Sequence, residues 1–166
     1  MILVADASPL IALACCDCLH ILEKLFGEVK VSAAVYEEVT VKNRAGSAQL
    51  LKYLQEKVVK EESITLVIEG GSLDRGELSS MILYKKIRAD YLLIDEKLGR
   101  KIAKLNNIKV VGSLGILIEA KKKGIIPSIK PHVEILRASS IYFSSALLDH
   151  ALKMANEVAD EAGTLK

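Results

Sequence analysis

Hydrophobic positions along the chain fall into short unbroken runs that alternate with longer stretches of helical period. The run Ile2 to Ala5 predicts a buried strand ending at Asp6. Ser8-Pro9 predicts the start of a helix, with Ser as N-cap and Pro at the first helical position, where its missing N–H costs nothing. A second helix is expected over about Leu19 to Phe26, closed by Gly27, and then a short strand over Val29 to Val31. Ser32 is placed to cap a helix running through Val41. Leu50, Leu51, Leu54 and Val58 carry the 3.6-residue period across residues 46 to 60. Ile64 to Ile68 reads as a further strand before a Gly70-Gly71-Ser72 loop.

Asp74 and Glu77 have the spacing of a capping box and open a helix running to about Arg88. Tyr91 to Ile94 is the clearest buried strand, and it ends at Asp95. A helix over about 96 to 105, a strand over Lys109 to Val111 and a helix opening at Ser113 follow. The last of these closes at Lys121-Lys122-Lys123-Gly124, with cations at the negative end of the helix dipole and Gly just beyond. Two more helices are expected over 128 to 137 and 144 to 161. Alternation of this kind predicts an α/β fold with a largely parallel sheet wrapped by helices.

At 166 residues the chain has the size of one hydrophobic core, so a single domain is expected. A composition of 51% hydrophobic and 27% charged residues excludes a disordered tail. With aromatics at 4% and no Trp, a base-stacking platform is not expected. The net charge of +2 neither requires nor excludes a nucleic-acid partner. Cys15, Cys16 and Cys18 form an odd, tight cluster, which reads as the reduced thiols of a cytoplasmic protein. His20 extends that cluster, but ligands crowded onto one short stretch lack the separated pairs of a tetrahedral zinc site. The first apolar run meets Asp6 at once and has no basic lead, so neither a signal peptide nor a membrane span is expected.

In open parallel sheets, ligands bind beyond the carboxyl ends of the strands. Asp6 and Asp95 fall at two such ends. If their strands are parallel neighbours, both carboxylates emerge at one edge, where their ionisation together calls for a cation between them. The plainer reading is that each Asp caps the helix after it. For a third acid, Glu37 and Glu38 are adjacent candidates. Val35 and Val39 define the inward stripe, and at about 100° per residue Glu38 lies roughly 80° from its centre while Glu37 lies opposite. Glu38 therefore borders the core. Glu77 flanks the stripe Leu78, Met81 and Ile82 and is either a ligand or the N3 partner of Asp74. Glu96 assists the metal or sits in a first helical turn.

Val4-Ala5-Asp6-Ala7-Ser8-Pro9-Leu10-Ile11 resembles the opening strand and helix of PIN-domain proteins, and Val35-Tyr36-Glu37-Glu38-Val39 resembles their second acidic motif. Gly76-Glu77, Leu92-Leu93-Ile94-Asp95-Glu96 and Gly99-Arg100-Lys101-Ile102-Ala103 resemble a prokaryotic PIN-like branch. Gly112-Ser113-Leu114-Gly115-Ile116-Leu117 continues the likeness, which runs to about Phe143. The resemblance implies a three-layer α/β/α sandwich over 1–166, with C-terminal helices from about 128. It also implies an acidic pocket holding Mg²⁺ or Mn²⁺ for ribonuclease activity, with Asp6, Glu38 and Asp95 as ligands. Many PIN nucleases carry a fourth Asp or Asn after the next strand, where this chain reads Val111-Gly112-Ser113. A non-catalytic module binding RNA or protein is the alternative that this departure favours.

The substrate's phosphate also needs a holder. Lys97, Arg100, Lys101 and Lys104 lie away from the stripe Leu98, Ile102 and Leu105, and either grip a phosphodiester or form a solvated face. Arg100 suits the task best because its planar fork matches a phosphate. Backbone N–H groups at Gly112-Ser113 offer a second contact, and Ser8 either bonds a ligand or caps its helix. No Gly-x-Ser-x-Gly, P-loop or dinucleotide fingerprint is present. His20, His132 and His150 pair with no nucleophile. An Asp-x-Asp phosphatase would need an acid at position 8, which is Ser, and a receiver domain would carry paired acids after the first strand. Finally, Leu147, Leu148, Ala151, Leu152, Ala155 and Val158 make an apolar face that predicts a homodimer. An antitoxin-like protein is the other partner the resemblance implies.

Overall fold

The computed structural model describes residues 1–41, 46–60 and 72–157. The chain divides into two compact units, Met1–Ser113 and Leu114–Lys166. In chain order the first unit contains β1 (Ile2–Ala5), α1 (Ala7–Cys15), α2 (His20–Phe26), β2 (Glu28–Ser32), α3 (Ala33–Val39) and α4 (Ser47–Leu54). It continues with β3 (Val58–Val59), α5 (Arg75–Lys86), β4 (Tyr91–Leu93), α6 (Lys97–Leu105) and β5 (Val110–Val111). The boundary falls at the start of α7 (Ser113–Lys122), and the second unit adds α8 (Lys130–Ala138) and α9 (Ser145–Met154).

All five strands are parallel, in the order β3-β2-β1-β4-β5. Leu3, Val4, Ala5, Leu92 and Leu93 are completely buried, although alternate residues point to opposite faces. A parallel sheet covered on both sides has this need, and it is why the strands read as unbroken apolar runs. On one face Val4, Leu92 and Ile94 pack with Met81 and Leu83 of α5 and with Ile102 and Ala103 of α6. On the other face Tyr91, in register with Leu3, meets Phe26 at the end of α2, edge to face with ring centroids 5.7 Å apart. Helices therefore cover both faces, giving the α/β/α layering expected.

Strand order also locates a crevice. From β1 the chain moves outward to β2 and β3, then returns to the other side of β1 for β4 and β5. The β1–β4 border is thus a switch point, where the connections part at the carboxyl ends. Ala5 pairs with Leu93, and the Asp6 N–H donates to the Leu93 carbonyl at 2.9 Å. Asp6 and Asp95 accordingly leave neighbouring parallel strands at one edge.

Several boundaries differ from the sequence expectation. Asp6, not Ser8, occupies the N-cap position of α1, with extended φ −87° and ψ 167°, so Pro9 is the third helical residue and Ser8 is exposed. The helix expected over 46 to 60 stops at Leu54, and Val58 and Val59 pair with Val31 and Ser32 as the outer strand. β-branched valines suit the open edge of β2 better than a helix end. Leu51, counted in the helical stripe, is half exposed. The α3 helix ends at Val39 rather than Val41, and its Ser32 cap forms as expected, Oγ accepting from Val35 N–H. Along α6 the buried stripe is Gly99, Ile102 and Ala103, whereas Leu98 and Leu105 are exposed. The strand expected at Ile64 to Ile68 and the loop glycines Gly70 and Gly71 lie outside the described residues.

In the second unit α7 closes as expected, with Lys121 and Lys122 in its last turn and Gly124 at φ +69°. α8 and α9 pack on each other. Glu157 ties this unit together: its carboxylate takes Lys121 at 2.6 Å, the Ser128 hydroxyl at 2.6 Å and the Ile129 and Lys130 N–H groups at 2.9 Å. Helix α9 is shorter than the 144 to 161 expected, and Val158 lies outside the described residues. Leu148, Ala151, Leu152 and Ala155 of its apolar face are buried in the chain itself, leaving Leu147 half exposed. That stripe is therefore not an open face awaiting a second copy. Among the described residues no helix is long and apolar enough to cross a membrane.

Candidate active site at the carboxyl edge of the sheet

Asp6 is buried to 4% exposure at the head of the switch-point crevice. Ser80 of α5 donates to its Oδ1 over a long 3.4 Å. Burial drives its pKa from an ordinary 3.8 up to about 7; the Ala7 N–H counters this, while Asp74, Glu77 and Glu38 add their repulsion. Those three neighbours come from two helices that pack together, α3 and the N-terminus of α5.

Gly76 explains how they approach so closely. A Cβ there would lie 3.0 Å from Glu38 Oε2, 3.3 Å from Asp74 Oδ1 and 3.6 Å from Asp6 Oδ1. Three carboxylates from three elements thus converge on the space a side chain would fill. Glu38 is exposed rather than bordering the core as its helical angle predicts, although its carboxylate reaches this rim, while Glu37 is also exposed and pairs with Arg75 at 3.3 Å.

Glu77 takes the N3 role of the two open to it. With Asp74 it forms the capping box: Glu77 N–H donates to Asp74 Oδ1 at 2.7 Å, and Asp74 N–H donates to Glu77 Oε2 at 3.2 Å. Its other oxygen, Oε1, is buried and has no hydrogen-bond partner among the described residues. Leaving such an atom unsatisfied costs about 1–3 kcal/mol, more for a charged group. Burial first, then Asp74, Glu96 and Glu38, raise the Glu77 pKa against the Asp74 N–H. Gly99 makes the room here too, since a Cβ on it would sit 2.5 Å from Glu77 Oε1 and 2.6 Å from Ile94 Cδ1.

Asp95 stands in different company. Ser113 clasps it twice, N–H to Oδ1 at 2.8 Å and Oγ to Oδ2 at 2.7 Å. Arg100 donates to the Ile94 carbonyl at 2.9 Å and brings its charge beside Asp95. Burial nonetheless outweighs these contacts and raises the Asp95 pKa. Gly112 keeps the space open, for its Cβ would lie 2.9 Å from both Arg100 Nη1 and Asp95 Oδ1. Glu96 takes the simpler of its two readings, capping α6 through Gly99 N–H at 2.8 Å, and Lys97 beside it is exposed.

The predicted residues therefore sort into two groups along one edge. Asp6, Glu38 and Glu77 gather with Asp74, whose spacing predicts only a cap. Asp95, Arg100 and Ser113 form the second group. Hard carboxylate oxygens, an unsatisfied buried Oε1 and an Asp that resists ionising suit a divalent cation of the Mg²⁺ or Mn²⁺ type. As they stand, no three His, Cys, Asp or Glu side chains among the described residues form a group able to hold an ion, so the fit rests on donor chemistry and on that oxygen.

Comparison with curated proteins finds no match. The DUF3368 family model, described as a PIN domain, matches residues 2–157. With nearly the whole chain matched, and with a parallel sheet whose switch point carries the acids, the chain belongs to the PIN-domain family, whose fold is nuclease-like.

Proposed function

We propose that this protein is a divalent-metal-dependent ribonuclease that hydrolyses RNA phosphodiester bonds at the carboxyl edge of its sheet. PIN domains are generally divalent-metal dependent, and the observation that carries the reading is the carboxylate group around Gly76, with Glu77 Oε1 left without a partner among the described residues. Asp6, Glu38 and Glu77 would hold Mg²⁺ or Mn²⁺, with Asp95 across the crevice. A bound ion there supplies charge neutralisation at a phosphate and a lowered water pKa.

The protein's own groups do the rest. Arg100 is anchored by the Ile94 carbonyl, which presents a guanidinium of planar, multi-donor geometry to a phosphodiester beside Asp95. Ser113 holds the Asp95 carboxylate in one orientation from both oxygens. Lys97, exposed on the same helix, adds positive charge at the rim. Within this reading the protein is the toxin half of a toxin–antitoxin pair. Growth arrest on expression of wild type, relieved in Asp6→Asn, tests that extension.

Cleavage assays on structured and unstructured RNA with Mn²⁺ or Mg²⁺ test the main proposal. Cutting by wild type and its loss in Asp95→Asn are expected. A second reading, a PIN-like module that binds RNA or protein without cutting, is favoured by the commitment of Asp95 to Ser113. Intact RNA after incubation with folded wild type and Mn²⁺ would decide for it.

A further inference from the structure

Next to the acids, on the same edge, the fold leaves a second concavity. It is a cleft of about 420 Å³ between the starts of α3 and α5, lined by Ala33, Ala34, Leu78, Ser79 and Ile82, with Lys60 and Arg75 at its rim. That volume lies in the range of roughly 300–1,000 Å³ typical of small-ligand pockets. Ala33 follows β2 directly and Lys60 follows β3 directly, so the cleft sits at the carboxyl ends of these two strands. Read across the sheet edge, the order is cleft at β3–β2, Asp6 at β1, then Asp95 with Arg100 and Ser113 at β4–β5. Strands are about 4.8 Å apart, so the cleft lies roughly 5–10 Å from Asp6, within reach of adjacent nucleotides of one strand.

We propose that this cleft is a nucleotide subsite, in which an unpaired RNA base rests on the aliphatic floor while Lys60 and Arg75 hold the adjoining phosphates. The proposal rests on the ribonuclease reading and gives that site its substrate form, single-stranded RNA laid along the carboxyl edge. Charge complementarity and continuity with the acidic group identify the occupant. Arg75 already pairs with Glu37, but both side chains are largely exposed, at 79% and 63%, so the pair is weak and opens readily to a phosphate. Among the described residues no ring lines the cleft, and the lining hydroxyl of Ser79 is engaged: its Oγ donates to the Gly76 carbonyl at 2.9 Å and shares a 2.7 Å bond with Ser32 Oγ. The described floor is aliphatic and offers a base surface rather than a free hydroxyl.

Fluorescence anisotropy of a labelled single-stranded RNA, titrated over a range of salt in EDTA, tests this with wild type, Lys60→Gln/Arg75→Gln and Ala33→Leu. The double variant is expected to flatten the slope of log affinity against log salt by roughly 0.7–1.4, the loss of one or two phosphate contacts. Filling the floor through Ala33→Leu is expected to weaken binding by about tenfold through steric overfilling, without changing that slope. Melting curves and Mn²⁺ binding should match wild type in both variants, because neither replaces Asp6, Glu38, Asp74, Glu77 or Asp95 and the exposed Arg75–Glu37 pair contributes little. Wild-type binding with unchanged slope and affinity in the variants would overturn the subsite and leave the ribonuclease reading standing; it is also the result if the cleft serves a protein. Failure of wild type to bind the RNA in EDTA would overturn the subsite, and intact RNA after incubation with Mn²⁺ would overturn the ribonuclease reading.

Discussion

Replacing Asp6 with Asn is expected to stabilise the metal-free protein, and increasingly so as the pH rises. Asp6 binds its proton up to about pH 7 in the folded state, against an ordinary 3.8. Between those values the folded chain holds more protons than the unfolded one, so stability falls as pH rises through the window. The resulting penalty is about 2 kcal/mol at pH 5 and about 4 kcal/mol at pH 8, at about 1.4 kcal/mol per pH unit. Asn keeps the shape without the charge. Its advantage over wild type should grow by about 2–3 kcal/mol from pH 5 to pH 8 in EDTA, read by urea denaturation monitored by circular dichroism. The raised pKa values of Glu77 and Asp95 give wild type a slope of the same sign, but both proteins share it. A stability difference that is flat between pH 5 and pH 8 would refute the reasoning, because it would mean Asp6 ionises without cost.

Gly99→Ala forces a Cβ to within 2.5 Å of Glu77 Oε1 and 2.6 Å of Ile94 Cδ1; overpacking of this kind costs about 1–3 kcal/mol, and urea denaturation should show it. Ser113→Ala removes the 2.7 Å bond to Asp95 Oδ2 and should cost about 0.5–3 kcal/mol, while carboxylate NMR shifts report a further rise in the Asp95 pKa. In the second unit, burial acts to raise the Glu157 pKa, but Lys121, Ser128 and two backbone N–H groups prevail and lower it from 4.5 to about 2. Its stabilisation is present above about pH 4.5 and lost as pH falls toward 2, so Glu157→Gln should destabilise the protein at pH 7 and converge on wild type in acid melts.

Much of the fold is legible in the sequence because a parallel sheet, buried on both faces, writes its strands as unbroken apolar runs. The caps at Ser32 and Asp74 and the glycine stops at Gly27 and Gly124 are equally local signals. Where local signals coincide, they mislead. Val58 lies four residues after Leu54 and extends a helical period, yet the open edge of β2 claims it. Ser8-Pro9 looks like a helix start, but the chain is already turning at Asp6. The acids at the strand ends could be read in advance, whereas the helical angle of Glu38 predicts a core-bordering side chain that is in fact exposed and reaches the acids only through the room at Gly76. What could not be read is the work of Gly76, Gly99 and Gly112, since each makes room for a side chain distant in sequence. For the same reason Asp74 looked like a cap alone.

Calorimetric titration of Mn²⁺ at pH 6 and pH 8, repeated in buffers of different protonation enthalpy, tests most directly whether this edge is a metal site. Because burial holds the Asp6 proton up to about pH 7, binding to wild type is expected to release protons, more of them at pH 6 than at pH 8. The folded Asp6→Asn variant should give neither the binding heat nor the proton release. Absence of Mn²⁺ binding by wild type, or an identical isotherm from Asp6→Asn, would contradict the account.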